Sequence, residues 1–222
     1  THTHCAPDSQ MLNSRMTFSM PGIASYKSRI LSAVASRIVG AVKKAASQPL
    51  TPVTSLEAKS FRLYQNRARR KLGTPDNTAT MVRMNGSDFL FAYAAHPVNY
   101  DETELKLRSD WPGTLMRQTG ALAVTGAIGD VSPDFGEGKP QEKIDRFVEL
   151  ALDSSDKTPS RSVFDCERET IKFIEEPIDF PVPIASPALI QSQGIPEVLA
   201  AQLVGRFAPK ESHISAIRLG KL

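Results

Sequence analysis

The stretch TMVRMNGSDFLFAYAAH, residues 80–96, decides how this chain folds. Two runs of strand-forming residues, 80–84 and 89–95, flank Asn85-Gly86. Both turn residues tolerate the positive φ of a tight two-residue turn, so the stretch predicts a β-hairpin. The second run, FLFAYAA, is apolar on both alternations. A strand with one wet face would alternate, so this one is expected in the middle of a sheet. It leads to His96. Open α/β sheets place their ligands at the C-terminal ends of strands.

Working outward, residues 26–46 carry Ile30, Leu31, Val34, Ile38, Val39 and Val42 at helical spacing, and Pro49 closes the segment. Residues 53–61 read as a strand, and 62–76 as a basic, irregular run. Ser109-Asp110 is expected to cap a helix that begins near Pro112. Residues 121–128 form a second apolar strand, which runs into Gly129-Asp130-Val131-Ser132-Pro133. After a loop at 136–140, residues 141–152 form a helix with Ile144, Val148 and Leu152 on one face. Residues 154–162 read as a polar linker. Residues 170–184 read as edge strands broken by Pro177, Pro181 and Pro183. A helix over 196–207 and a strand over 213–219 complete the chain. Helices and apolar strands interleave, so the expected class is α/β, a mixed central sheet flanked by helices.

The 222 residues suit one large domain. Hydrophobic residues are 41% and charged residues 23%, both ordinary for a globular chain. No apolar run approaches the roughly 20 residues of a membrane helix. The net charge is +3, and basic residues are scattered apart from Arg67, Arg69, Arg70 and Lys71. That is no footprint for a nucleic acid. Cys5 and Cys166 either pair or stay free, and two cysteines do not establish a redox compartment.

Four places carry side chains suited to chemistry. In His2-Thr3-His4 the two imidazoles face one way if the segment is extended. Both then bind a metal, or one does while the other meets a substrate. His96 is either a third such group or a satisfied histidine near the core. GDVSP exposes the Ser132 hydroxyl and backbone N–H groups, which suits a nucleophile or an oxyanion contact, or simply a tight turn. There is no G-x-S-x-G to make it a nucleophile elbow. Arg67 offers a fork of donors to a substrate oxygen, or belongs to a solvated basic run. Cys5 adjoins the histidine pair as a metal ligand, a redox-sensitive thiol or a small buried residue.

Taken in order, THTHCAP at 1–7, NR at 66–67, AAHPV at 94–98, SDWPG at 109–113 and GDVSP at 129–133 resemble the neutral/alkaline, non-lysosomal ceramidase family. The resemblance is to its large N-terminal catalytic domain and covers about the first 130 residues. It implies a zinc-dependent hydrolase that cleaves the amide of an N-acyl lipid of ceramide type. Carried over, it makes His2 and His96 zinc ligands and turns His4 toward the reacting amide. Arg67 becomes the arginine of the family's N-R-S stretch, with Ala68 in place of the serine. Ser132 becomes the active-site serine of G-D-V-S-P-N, with Asp134 in place of the asparagine. Cys5 stands where serine is common. The family's zinc also takes a glutamate from a P-G-E motif and a later tyrosine. These are expected after residue 222, and Glu197, at a helix start, is not their substitute. The expectation is therefore residues 1–222 as one ceramidase-like domain, part of a larger zinc-hydrolase-like domain and incomplete at both ends. The resemblance also implies secretion or a periplasmic location, a lipid amide substrate and room for peripheral contact with lipid.

Two other classes of function fit the same residues. One is a metal-free, degenerate scaffold or interaction module. The other is a zinc hydrolase acting on a different amide or an ester, although no HExxH supports the commonest peptidase arrangement. Metal content separates the first from the enzyme, and acyl-chain preference separates the second.

Overall fold

The computed structural model describes residues 2–7, 9–15, 17, 19, 24–68, 73–101, 103–163, 171–179, 194–196, 198–199, 202 and 211–219. For residues 10, 171, 179, 211–214, 217 and 219 it describes the backbone alone. The chain falls into two compact units. One comprises residues 1–6, 51–171 and 218–222, the other residues 7–50 and 172–217.

The larger unit is built on the predicted hairpin. Strand β1 spans Leu56–Arg62 and a three-residue β2 spans Asn66–Ala68. The hairpin strands are β3 (Thr78–Met84) and β4 (Ser87–Tyr93). Helix α2 (Asp110–Thr119) follows, then β5 (Leu122–Thr125), β6 (Val131–Pro133), helix α3 (Pro140–Lys157) and β7 (Arg161–Ser162). The main sheet runs β5-β4-β3-β1-β7. Among the described residues of this sheet, β4 and β5 pair in parallel and the other three pairs are antiparallel. A parallel pair needs a crossover, and α2 supplies it. The expected α/β class and mixed sheet are what the chain adopts.

The turn works as its residues require. Asn85 and Gly86 sit at φ of 52° and 78°. The Asn85 side-chain oxygen also accepts from the backbone N–H groups of Thr54 and Ser55 at 2.8 and 3.2 Å, tying the hairpin to the start of β1. The register slips by one residue between Val82 and Arg83, so Phe89 has no partner across the ladder. Phe89 is left half exposed. Beyond this bulge β4 is central, as FLFAYAA predicts.

Alternation along the strands makes two cores. Ala79, Met81, Phe91, Tyr93 and Ala123 face Trp111 and Leu115 of α2 and Ile144, Phe147, Val148 and Ala151 of α3. On the other alternation, Leu56, Ala58 and Val82 cluster with Val163. Phe147 anchors the larger core: Phe135 stacks on it at 4.1 Å between centroids, Tyr93 at 5.5 Å, and Trp111 meets it edge-on. Burying rings of this size contributes a few kcal/mol each.

Three sequence readings need correction here. The run 62–76 is not wholly irregular, because β2 forms within it by pairing with β6. The 154–162 segment is not all linker. Helix α3 continues to Lys157, since Ser155 is buried and its carbonyl accepts from the buried Lys59 ammonium at 2.8 Å. Ser109 stands at the helix cap position but its hydroxyl caps nothing in α2. It accepts instead from the Arg117 guanidinium at 3.1 Å.

In the second unit, a 3-10 turn at Ser9–Leu12 precedes helix α1 (Ser28–Ala46), and Lys27 N–H donates to Met11 O. No residue of α1 is buried. Strands β8 (Ile171–Asp179) and β9 (Glu211–Leu219) form a two-stranded sheet. Pro177 does not break β8, because with only one neighbour a strand has a side that needs no N–H. Arg69, Arg70, Lys71, Cys166, Pro181, Pro183, Glu197 and most of the helix expected over 196–207 lie outside the described residues. Among the described residues no helix is long and apolar enough to cross a membrane.

Candidate metal centre

The backbone leaving β4 is held by two side chains. Asn66 Nδ2 donates to Ala94 O at 3.0 Å, and Trp111 Nε1 donates to Ala95 O at 3.0 Å. Both carbonyls lie in buried residues, where an unpaired carbonyl is costly. His96 follows at once, itself buried at 6% exposure. Its Nδ1 lies 3.1 Å from Ile128 O. A carbonyl only accepts, so Nδ1 carries the proton, and a neutral His96 presents a lone pair at Nε2.

The N-terminal segment is pinned to the loop before α2. Thr3 Oγ1 donates to Arg108 O at 2.7 Å and accepts from Cys5 N–H at 3.2 Å. Arg108 N–H in turn donates to Cys5 O at 3.0 Å. Thr3 therefore points one way along the ribbon, and His2 and His4 the other. The result is a cluster. His4 Nε2 lies 3.2 Å from His2 Nε2 and 3.0 Å from His96 Nε2. One ligand nitrogen from each of the three lies within 4.8 Å of the others. His2 and His4 are exposed and His96 is buried, so the cluster opens to solvent on one side.

These spacings fit a bound ion. Tetrahedral zinc, with Zn–N of about 2.0–2.1 Å, sets its ligand nitrogens about 3.3 Å apart. The two close pairs fall within a few tenths of that. Imidazole nitrogen also suits copper, nickel and iron, so the donor set selects a class of metals and no single one. The backbone carbonyl behind His96 is the kind of partner that orients a metal-bound imidazole. Cys5 stands outside the cluster and, among the described residues, is a free thiol. Burial, then the charges of Asp110, Glu104 and Asp101, push its pKa up. That shift disfavours the thiolate.

Arg67 and Ser132 meet at a second place. They are directly opposed in the β2–β6 ladder, so their side chains share one face. Asp134 N–H donates to Gln65 O at 2.8 Å and closes the ladder. Together with Val98, Asn99, Asp134 and Lys143, they line a cavity of about 330 Å³. Ser132 is buried and Arg67 exposed. The sequence-predicted residues thus form two groups, the three histidines and the Arg67–Ser132 pair. The segment from Ile128 to Ser132 joins them, since Ile128 O accepts from both His96 Nδ1 and Val131 N–H.

The motif SDWPG acquires a mechanical meaning. Asp110, buried and at φ of 52°, accepts from Asn99 N–H, Asn99 Nδ2 and Trp111 N–H at 2.7–2.9 Å. Trp111 reaches the Ala95 carbonyl. A Cβ at Gly113 would lie 1.9 Å from Ser109 Oγ, so only glycine lets the chain fold back over the first turn. Asn66, Asp110, Thr3 and Ile128 were not read as site residues from sequence. Asn66 left a trace there as the neighbour of Arg67, Thr3 within THTHCAP and Asp110 within SDWPG.

No family model matches the chain, no curated protein is similar to it, and no solved structure matches its fold.

Proposed function

We propose that this chain carries the metal centre of a hydrolase that cleaves the amide of an N-acyl lipid of the ceramide type, with zinc as the metal. One observation carries the reading: three imidazole nitrogens converge within 4.8 Å, and one of those rings is oriented by a backbone carbonyl. The motif order shared with the neutral ceramidases supplies the substrate class. His2 and His96 hold the metal, and a zinc ion there supplies Lewis acidity and acidifies water.

The chain's own residues supply the rest. Arg67 directs its guanidinium to a substrate oxygen, where its fork of donors fixes orientation. Ser132, across the ladder from Arg67, hydrogen-bonds the amide from the same face. The cavity they line is polar and suits a hydroxylated head group better than a hydrocarbon chain, so the acyl chain extends out of it. The ceramidase reading carries with it a secreted or periplasmic place of action.

The test uses the natural full-length protein. Elemental analysis is expected to find one zinc per chain, and a fluorescent N-acyl sphingosine is expected to be hydrolysed. Arg67→Ala should raise KM and leave the metal content unchanged. Substoichiometric zinc together with intact hydrolysis in His96→Ala would sink the proposal, and a wild type with neither zinc nor hydrolysis would leave a metal-free scaffold as the better reading.

A further inference from the structure

The basic residues are less evenly scattered than the composition suggests. Between Ser9 and Leu56 the chain carries Arg15, Lys27, Arg29, Arg37, Lys43 and Lys44 and no acidic residue, although its net charge is only +3. All but Arg15 lie on helix α1 or directly before it. We propose that α1 is an amphipathic anchor that lies flat in the surface of an anionic lipid bilayer. The inference concerns the second unit alone and stands apart from the metal-centre reading.

The helix separates its two kinds of side chain. At about 100° of turn per residue, Ile30, Leu31, Val34, Ile38 and Val42 share an arc of about 120°. Arg29, Arg37, Lys43 and Lys44 share another arc of about the same width, and the two do not overlap. The apolar side is left in water: Ile38, Val39 and Val42 are 60%, 51% and 61% exposed. A globular helix normally buries such a stripe. The helix is not long and apolar enough to cross a membrane. An apolar stripe set against a face rich in Lys and Arg is the pattern of a helix that lies in the interface plane.

The charges give the sign of the partner. A helix face that merely meets water mixes acids with bases and gains from their i,i+4 pairs. Helix α1 has no acid to pair with. The helix dipole accounts for Lys43 and Lys44 in the last turn. It does not account for Arg29, which stands in the first turn, where the dipole favours an acid and α1 has none. A negative surface outside the chain supplies what the helix lacks. Around its first turns, Met11, Ile30 and Val34 line a groove of about 540 Å³ together with Lys27, Arg29 and Arg37. Long basic side chains can lay their stems along apolar neighbours and lift their charged ends to the level of lipid phosphates.

The experiment measures co-sedimentation of the natural full-length protein with vesicles of phosphatidylcholine, with and without phosphatidylglycerol. Circular dichroism verifies that each variant folds. The wild type is expected to bind the anionic vesicles far more tightly than the neutral ones, and less tightly as salt is raised. The pair Lys43→Gln, Lys44→Gln should weaken that binding by roughly fivefold per cation removed, about 30-fold together. The pair Ile38→Ser, Val42→Ser should weaken it by at least about tenfold through the apolar area lost. The pair Arg161→Gln, Lys172→Gln removes the same charge from exposed positions off the helix and should bind like the wild type. No binding to anionic vesicles, equal binding to both kinds, or helix variants that bind like the wild type would each overturn the proposal. So would self-association without vesicle binding that Ile38→Ser, Val42→Ser abolishes in sedimentation, which would make the stripe a contact between copies.

Discussion

Trp111 couples the core to the candidate metal centre, and replacing it with phenylalanine tests that coupling. The ring is fully buried and packs against Phe91, Tyr93 and Phe147. Its Nε1 is the donor to Ala95 O, one residue before His96. Phenylalanine keeps most of the apolar volume but loses that donor. An unsatisfied buried carbonyl costs about 1–3 kcal/mol. The missing part of the indole adds about 1 kcal/mol of lost packing. The sum is about 3 kcal/mol, or roughly 6–12 °C in Tm for a chain of this length. The carbonyl is also freed to turn, so the exit of β4 should loosen and zinc affinity should fall by roughly tenfold, as for other partners behind a ligand. Phe147→Leu is the control: it opens the same core without touching the donor. It should lose comparable stability, measured by urea unfolding, and keep its zinc affinity. If the two variants change affinity equally, or if Trp111→Phe loses under 1 kcal/mol, the Ala95 bond does not position His96.

Three more predictions follow from single contacts. Gly113→Ala would press a methyl group to 1.9 Å from Ser109 Oγ and 2.2 Å from its Cβ. The expected cost is about 1–3 kcal/mol, largely recovered in the Ser109→Gly, Gly113→Ala double variant; a single variant as stable as wild type would refute the clash. Thr3→Val removes the bond to Arg108 O at 2.7 Å, and zinc affinity should fall by about tenfold with little change in Tm, as read by calorimetry. Tyr93 has its pKa pushed up to about 12, first by burial. A pKa raised in the folded state stabilises fully below the unfolded value near 10 and is lost as pH rises through about 12. Stability should therefore drop across that alkaline window by up to about 3 kcal/mol. Phenolate absorbance should show one tyrosine ionising only there, and a normal titration for all tyrosines would contradict it.

Much of the sheet is legible in the sequence because its signals are local. Asn85-Gly86 states a turn that few other residues can make, and FLFAYAA states burial on both faces. The parts that escape are those made by distant partners. Strand β2 is three residues of a basic run and exists through its ladder with β6. The last turn of α3 looks like linker until Lys59, far away in β1, caps the Ser155 carbonyl. The site divides in the same way. His2, His4 and His96 are chemically conspicuous, so they can be nominated from type and spacing. Their convergence depends on Thr3 meeting Arg108, and on a buried aspartate that holds the intervening loop at Asn99. No local pattern encodes either contact.

The Ile128 carbonyl has one consequence of its own. Both of its acceptor positions are taken, one by the His96 imidazole and one by the Val131 amide. The tautomer of His96 is therefore set by main-chain atoms, and no side-chain replacement at position 128 can delete the contact. It is sheltered from mutation in a way that an aspartate behind the ring would not be. Only chemistry on the chain itself reaches it. Exchanging the Ile128–Gly129 amide for an ester would weaken that one oxygen as an acceptor, and would disturb the imidazole and the serine-bearing turn together.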